Sequence, residues 1–311
     1  MSVLVHIGHM KTATTTLQYQ FFREENGYSL IGDRWFLRQK LVYPTELEYE
    51  ESGVREKLLE EAQRCKSNGL HPVLSFERLA GGINTGGVDS LILLRRIKRI
   101  FPDALILIVF REQRQFLLSS YRNLIRQGFS YGLKEFLQPY TGPGNLSFRP
   151  SFLEYSKLIN AYRQEFGEGK VLALPYELLR EKENDFTCRI SNFAGVDLPV
   201  QPLKNRANES RRESELVVLR RLNRIFCRSQ NNPHGWLEKP KIADCIARLF
   251  RQAPRFVDEA ISRRWERMIA RFCEGRYSED NMALSSMIGV NLEARGYEVR
   301  SSGRESSQRS L

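Results

Sequence analysis

The sequence predicts an α/β fold: a three-layer sandwich with a central, mostly parallel sheet and a helical C-terminal half. Short apolar runs alternate with longer amphipathic segments up to residue 175, which is typical of a parallel sheet covered by helices on both faces. From residue 183 onwards only helical periodicity remains. With neither an internal repeat nor a linker, we expect one domain over residues 1–298, followed by a disordered polar tail at 299–311.

Four apolar runs predict the strands. The run "ALILIVF" at 104–110 is the clearest, because only the centre of a sheet buries so apolar a segment on both faces. The other predicted strands are "VLVHI" at 3–7, "HPVLSFE", whose strand begins after Pro72, and "KVLALP" at 170–175.

Amphipathic patterns predict the helices, as where Leu17 and Phe21 lie one turn apart on one face. A loop rich in glycine and proline interrupts them near 139–150. The predicted helices span residues 12–23, 53–66, 89–100, 112–127, 151–166, 183–194, 211–228, 241–251, 256–273 and 280–294.

Composition indicates an ordinary globular protein of 311 residues, 41% hydrophobic and 27% charged. The net charge of +11 indicates an acidic partner such as phosphate, sulfate, nucleic acid or a membrane surface, or else simply a solvated basic surface.

Targeting signals are not expected, because Lys11 interrupts the first apolar run and no stretch approaches the roughly 20 apolar residues of a membrane span. The five cysteines are odd in number and far apart, without CxxC spacing. This pattern suggests neither a zinc site nor a disulfide framework, and it predicts a cytoplasmic protein with reduced thiols.

The loop "GHMKTATTT" joins the first predicted strand to the first predicted helix. Ligands in such folds bind beyond the carboxyl ends of the strands, and a helix N-terminus there attracts anions. Lys11 adds a positive charge, and the threonines add hydroxyl donors, so the loop suits a phosphate-like group. The alternative is a threonine-rich helix cap beside a solvated lysine. It is not a Walker A loop, since the second glycine of that motif is missing.

The loop and the residues on either side of it resemble a motif of a known enzyme family. Residues 6–18, "HIGHMKTATTTLQ", are similar to the first motif of sulfotransferases that use 3′-phosphoadenosine 5′-phosphosulfate (PAPS), which commonly reads H-I-G-x-x-K-T-G-T-[ST]-[ST]-L-Q. The departure is Ala13, where the family usually has glycine, and its methyl group slightly narrows the approach of the phosphate.

A second motif of the family places an arginine directly after a central strand and a serine eight residues later. Arg111 and Ser119 match it, and the resemblance implies that this pair holds the 3′-phosphate. Weaker similarity in "LPYELL", "NFAGVD" and later segments extends the resemblance to roughly residues 2–296. Tyr176 and Glu177, in "LPYELL", are interpreted as packing and loop-anchoring residues.

The resemblance implies a P-loop-like fold and sulfuryl transfer from PAPS, with 3′,5′-adenosine diphosphate as product and no metal. Lys11 and the helix N-terminus would stabilise the charge that develops on the bridging oxygen. The residues implied to bind the donor are Gly8, Lys11, Thr12, Ala13, Thr14, Thr15, Thr16, Arg111 and Ser119.

The acceptor needs a general base. Glu77 follows a predicted strand in "SFE", which resembles the family's S-x-E segment, whose glutamate is the base in several carbohydrate sulfotransferases. The alternative for Glu77 is a loop salt bridge or a cap. His9, in the loop itself, is a rival that could contact the sulfate or the acceptor, whereas His6 within the strand is expected in the core.

The acceptor predicted from the S-x-E glutamate is a carbohydrate or glycolipid, and we expect neither nucleic-acid binding nor stable membrane insertion. Aromatic residues in 23–52 and 128–150 could line a pocket and a lid, or could simply pack in the core. The arginines of 211–228 are interpreted as a solvated helix face or as ligands of an acidic acceptor or the nucleotide, and Arg206 and Asn208 could close over the adenosine.

Two other functions stay open from the residues. A small-molecule kinase would need Mg²⁺ and an acidic ligand, for which Glu112 at a strand end is the candidate. A nucleic-acid binder is suggested by the net charge alone, without any supporting motif.

Overall fold

The computed structural model describes residues 2–139, 147–197, 203, 211–228, 236–238 and 241–299. The chain forms two units, the first comprising residues 1–112, 149–204 and 275–311 and the second residues 113–148 and 205–274. The single domain predicted over 1–298 stays a prediction, and the predicted disorder beyond residue 299 falls outside the described residues.

A five-stranded parallel sheet forms the centre of the first unit. Its strands, in the order β2-β3-β1-β4-β5, are β1 (Leu4–Gly8), β2 (Tyr28–Ile31), β3 (His71–Ser75), β4 (Leu105–Phe110) and β5 (Val171–Pro175). β1 lies in the middle because it pairs with β3 on one side and β4 on the other. The predicted P-loop-like α/β fold with a largely parallel sheet is confirmed.

Some helices of the first unit follow a strand directly or after a short turn. The short helices α1 (Thr14–Thr16) and α2 (Arg34–Phe36) continue as wider π-helical turns over Leu17–Phe21 and Leu37–Val42. The others are α3 (Glu51–Ser67), α4 (Ser90–Ile100), α7 (Tyr155–Phe166), α8 (Tyr176–Glu181), α9 (Glu183–Ala194) and α13 (Ser278–Ile288).

Helices cover both faces of the sheet. On one face Leu4 and Leu107 share a buried cluster with Leu17, from the helix after β1, and with Phe186 of α9. On the other face the ring of Phe110 lies 5.2 Å from that of Tyr155 in α7. The apolar strands are therefore buried on both sides, as parallel strands require.

Several elements differ from the prediction. β2 is a strand that the sequence did not predict, and it lies within residues 23–52, where its Tyr28 is fully buried in the core. The first helix starts at Thr14 rather than at residue 12, since Lys11 and Ala13 have left-handed backbones. The last helix ends at Ile288, where Gly289 adopts φ 64° and terminates it.

The second unit is helical, with α5 (Gln113–Arg126), α6 (Leu133–Leu137), α10 (Glu213–Phe226), α11 (Lys241–Leu249) and α12 (Arg255–Cys273). A short parallel pair, β6 (Cys227–Arg228) and β7 (Leu237–Glu238), accompanies them. Aromatic rings form its core, where Tyr121 contacts Phe136 at 5.7 Å and Trp265 at 5.3 Å. None of the helices in the described ranges is long and apolar enough to cross a bilayer.

Candidate active site

The loop after β1 has a strained backbone. Lys11 and Ala13 have φ angles of 67° and 60°, and among the described residues they are the two non-glycine positions with positive φ. Each costs about 1–2 kcal/mol for an L-residue, and such strain concentrates at functional sites. Backbone N–H groups in this kind of conformation form a concave site for anions.

The helix after this loop begins without a side-chain cap. Ala13 occupies the cap position and has no hydroxyl to offer, while Thr12 Oγ1 donates a hydrogen bond to the carbonyl oxygen of His9. The threonine-rich cap considered from the sequence is therefore not the arrangement seen here. The first N–H groups of the helix and its positive end are left to interact with an anion.

Three polar side-chain atoms converge beside Gly8. A Cβ atom at Gly8 would lie 2.5 Å from Thr14 Oγ1, 3.1 Å from Thr12 Oγ1 and 3.2 Å from His6 Nε2. Thr14 Oγ1 and His6 Nε2 are buried and have no hydrogen-bond partner among the described residues. Glycine is thus required at position 8 by close approach, and two buried polar atoms point into the space that its missing side chain leaves.

The remaining loop residues differ in exposure. Lys11 and Thr15 are exposed, and Thr16 is half-buried. An exposed lysine beside buried threonine hydroxyls can place a positive charge at the mouth of the loop.

Arg111, directly after β4, contacts this loop. Its Nη1 donates a hydrogen bond to the carbonyl oxygen of Lys11 at 3.1 Å, and its guanidinium carbon lies 5.0 Å from the ring centroid of Tyr176. The Tyr155 hydroxyl donates to the Arg111 carbonyl at 2.7 Å. The residue predicted for the second motif is therefore fixed against the first.

Ser119 lies on α5 in the second unit and is half-buried. Its predicted partnership with Arg111 at a 3′-phosphate stays a prediction.

Glu177 anchors the segment that carries Arg111, the role expected for it. Its Oε1 accepts a hydrogen bond from the Glu112 backbone N–H at 3.1 Å, and its Oε2 accepts one from the Tyr297 hydroxyl at 2.8 Å. Burial raises the pKa of Glu177 above its ordinary value. Glu112, the metal-ligand candidate of the kinase hypothesis, is itself buried.

Glu77 begins a 3₁₀ helix, Glu77–Ala80, two residues after β3. β1 and β3 are paired in parallel, with His6 opposite Ser75. Glu77 and the loop after β1 therefore both lie beyond the carboxyl ends of the strands. Its Oε1 accepts a hydrogen bond from Arg34 Nη2 at 2.8 Å, and 23% of its side chain is exposed. The salt bridge considered as an alternative thus exists, and the role of base stays a prediction.

The segment after Glu77 is held in shape by Asp89. Its Oδ1 accepts hydrogen bonds from the Gly82 N–H and Thr85 Oγ1, each at 3.0 Å, and its Oδ2 accepts one from Arg78 Nη2 at 2.9 Å. This rigid turn fixes where the chain leaves Glu77.

A buried polar network, which the sequence analysis did not identify, links the loop to the strand before Glu77. Ser75 Oγ lies 2.8 Å from His6 Nδ1 and accepts a hydrogen bond from Gln18 Nε2 at 3.2 Å. Gln18 Nε2 also donates to the Ser75 carbonyl at 2.7 Å. His6 and Gln18 both belong to the first motif, so their position at its two ends was the available signal.

The two histidines of this region are neutral. Burial lowers the pKa of His6 to about 3 and that of His9 to about 4. The His9 ring packs against Phe152 at 5.4 Å and edge-on to Tyr155 at 4.9 Å, and its backbone N–H donates to the Val109 carbonyl. His9 thus ties the loop to β4 and α7.

The aromatic residues of 23–52, for which the sequence leaves both a pocket and core packing open, are divided between core and surface. Tyr28 is fully buried, whereas Trp35 and Tyr43 are exposed. A groove of about 580 Å³ lies in this region. It is lined by Phe36, Gln39, Lys40, Tyr43, Pro44, Glu48, Glu50, Gly53 and Val54.

Metal-ligating side chains and cysteine thiols are the other groups that could carry chemistry. Across the described residues no group of three or more His, Cys, Asp or Glu side chains is arranged to hold a metal ion. All five cysteines are free thiols, of which Cys188 and Cys245 are exposed.

Comparison with known proteins finds similarity to sulfotransferases. A sequence profile described as "Sulfotransferase family" matches residues 90–200. About a third of the chain is thus similar to this family. The matched range contains Arg111, Ser119 and Glu177, whereas the loop after β1 lies before it.

Solved structures to which this chain is similar include three sulfotransferases. One from Alicyclobacillus acidocaldarius has 16% identity and a TM-score of 0.47, covering 71% of this chain and 94% of its own. The sulfotransferase domain of the curacin biosynthetic pathway has 9% identity and a TM-score of 0.44, covering 93% and 98%. Mouse SULT7A1, complexed with PAP, has 12% identity and a TM-score of 0.40, covering 84% and 88%. No curated protein matches significantly.

Proposed function

We propose that this protein is a sulfotransferase, that it moves a sulfuryl group from PAPS to a hydroxyl or amine of an acceptor, and that the acceptor is a carbohydrate or a glycolipid. The observation that supports the donor most strongly is the contact between Arg111 Nη1 and the Lys11 carbonyl. This contact places the planar guanidinium of Arg111 beside the anion-binding loop. Two neighbouring groups that bind anions suit PAPS, because PAPS carries two separate anionic groups.

The residues present fit such a donor. The left-handed backbone at Lys11 and Ala13, the uncapped helix start and the buried Thr14 hydroxyl supply hydrogen-bond donors for one anionic group. Arg111 presents a planar fork suited to phosphate oxygens. We propose Gly8, Lys11 and the threonines at positions 12, 14, 15 and 16 for the 5′-phosphosulfate, and Arg111 with Ser119 for the 3′-phosphate.

PAPS, when bound, supplies a sulfuryl group joined to its 5′-phosphate through a bridging oxygen. Lys11 would hold a positive charge near that oxygen, where negative charge would develop, and the helix N-terminus would act in the same direction. Because these donors are already oriented by the strained loop, little reorganisation is needed during the reaction.

Glu77 is proposed to accept the proton that the acceptor hydroxyl loses as its oxygen bonds to sulfur. Its position beyond β3, at the edge from which the loop rises, supports this role. The exposed Arg34 side chain holds the carboxylate at 2.8 Å and is proposed to orient it. His9, buried against Phe152 and Tyr155, is proposed to position the loop for catalysis.

A cytoplasmic location is proposed because all five cysteines are free thiols, which suits a reducing compartment.

The proposal is tested by transfer of ³⁵S from labelled PAPS to a mixture of glycans and glycolipids, without added metal. We expect labelled product that disappears with Lys11→Ala and is restored in part by Lys11→Arg. Lys66→Ala, at a half-buried lysine in the last turn of α3, is the control and should retain full activity. Transfer that persists in Lys11→Ala would contradict the proposed role of the loop.

A further inference from the structure

The positive charge of the protein is concentrated in its second unit. Residues 113–148 and 205–274 contain 20 lysines and arginines against 10 aspartates and glutamates. The formal charge of this unit is therefore +10, out of +11 for the whole chain. A unit with this imbalance attracts anionic surfaces over several ångströms in solution.

Exposed apolar side chains accompany this charge at the α11–α12 corner, which we define as residues 248–256 (RLFRQAPRF). Leu249, Phe250 and Phe256 are 75%, 46% and 68% exposed. The corner also carries three exposed arginines: Arg248, Arg251 and Arg255. Single exposed apolar side chains are normal, whereas large ones clustered in this way indicate a binding surface.

The backbone of the corner is firmly attached to α10. The Phe250 carbonyl accepts a hydrogen bond from Ser214 Oγ at 3.2 Å, and the Ala253 carbonyl accepts one from Arg212 Nη1 at 3.1 Å. Arg251 pairs with Glu215 at 3.3 Å. The exposed rings are thus presented by an ordered backbone, and binding would not require the segment to fold first.

The basic surface continues from the corner along α12. Arg263, Arg264, Arg267 and Arg271 are exposed, whereas Trp265, Ile269 and Phe272 of the same helix are buried. The outward side of α12 therefore extends the positive charge beyond the apolar corner.

We propose that the α11–α12 corner binds the surface of an anionic lipid bilayer. Leu249, Phe250 and Phe256 would enter the boundary between headgroups and acyl chains, while the neighbouring arginines contact lipid phosphates. Basic residues interleaved with Leu and Phe are typical of such interfacial binding. A soluble polyanion would not account for the exposed apolar side chains, because it needs only the arginines. A second copy of the chain is disfavoured, because it would bring together two units that each carry a charge of +10.

The test measures co-sedimentation of the full chain with vesicles of phosphatidylcholine, alone or mixed with phosphatidylglycerol. We expect binding to the mixed vesicles that weakens as salt is raised, and none to phosphatidylcholine alone. The triple variant Leu249→Ser, Phe250→Ser, Phe256→Ser leaves the charge unchanged and should bind at least about tenfold more weakly. The matched control is Trp35→Ser with Leu47→Ser, two residues that are 66% and 100% exposed in the first unit, and it should bind like the wild type.

Binding to heparin and the oligomeric state complete the test. Because heparin needs only charge, the triple variant should keep its heparin affinity and its thermal unfolding midpoint. The proposal is overturned if mixed vesicles are not bound, or if the triple variant binds them as the wild type does. It is also overturned if lipid-free protein forms a dimer that only the triple variant abolishes.

Discussion

Arg111 Nη1 donates a hydrogen bond to the carbonyl oxygen of Lys11 at 3.1 Å, although the two residues are 100 positions apart in the chain. We expect Arg111→Ala to weaken binding of 3′,5′-adenosine diphosphate by roughly 10- to 150-fold, because a hydrogen bond to a charged group contributes about 1.5–3 kcal/mol. Equilibrium dialysis with the labelled nucleotide measures this loss of affinity. Arg23→Ala, at an exposed pair with Glu25, should bind normally, and equal losses in both variants would contradict the assignment.

Ala13 adopts φ 60°, a conformation that glycine accepts without steric penalty. Ala13→Gly should therefore raise the free energy of unfolding by about 0.5–1 kcal/mol, the relief of strain exceeding the added entropy of the unfolded chain. Urea unfolding measures the change. The same substitution at Ala161, inside α7, should lower stability by about 1 kcal/mol, and a loss at both positions would contradict the strained loop.

Ser75 Oγ is shared by His6 and Gln18, and the serine is 5% exposed. Ser75→Ala should lower the free energy of unfolding by about 1–3 kcal/mol, since it leaves buried polar atoms without partners. It should also lower turnover, because the network connects the loop to the strand before Glu77. Ser29→Ala, on β2 and half-buried, is the control for both measurements. An unchanged Ser75→Ala protein would mean that the network contributes nothing.

Buried histidines should make the fold sensitive to mild acid. Burial lowers the pKa of His6 to about 3 and those of His9 and His71 to about 4. In the unfolded chain they take up protons below about pH 6.5, so their contribution to stability is complete above that pH and is lost as pH falls towards the folded values. Each should remove about 1.4 kcal/mol per pH unit in this window.

Glu177 and Asp280 have the opposite effect on stability as the pH falls. Burial raises their pKa values, so the folded protein takes up their protons before the unfolded chain does. Urea unfolding between pH 7 and pH 5 measures the net slope. His71→Leu should reduce that slope by about 1.4 kcal/mol per pH unit. A slope that does not change in this variant would contradict the neutral state of His71.

Glu77→Gln should lower kcat by roughly 10²- to 10⁴-fold and leave binding of the bisphosphate unchanged, if Glu77 is the general base. Arg34→Ala removes the partner that orients Glu77 and should have a smaller effect, of about two- to tenfold, as expected for an exposed ion pair. Glu60→Gln on the exposed face of α3 is the control. A full rate in Glu77→Gln would transfer the role of base to another group.

Much of the sheet could be predicted from sequence, because β4 and β1 are buried on both faces. β4 is therefore an unbroken apolar run, and β1 is interrupted by His6 alone. β2 was missed since it has only four residues, Tyr28–Ile31, and lies at the edge of the sheet. The sequence left its tyrosine open to either a pocket or core packing, and the residue is buried in the core.

The candidate site was predictable where its residues lie close in sequence, as in the loop around Lys11. The strain at Ala13 could not be predicted, because backbone angles at an alanine leave no mark in the sequence. The pair between Arg34 and Glu77 was equally hidden, since 43 residues separate its members and only the pairing of strands brings them together.

The most direct measurement is calorimetric titration of the metal-free protein with 3′,5′-adenosine diphosphate, beside 5′-AMP and ATP. If the loop and Arg111 form a PAPS site, the bisphosphate should bind without metal, much more tightly than 5′-AMP, and this preference should disappear in Arg111→Ala. Binding of ATP with Mg²⁺ and no binding of the bisphosphate would contradict the proposed donor and favour a kinase-like site.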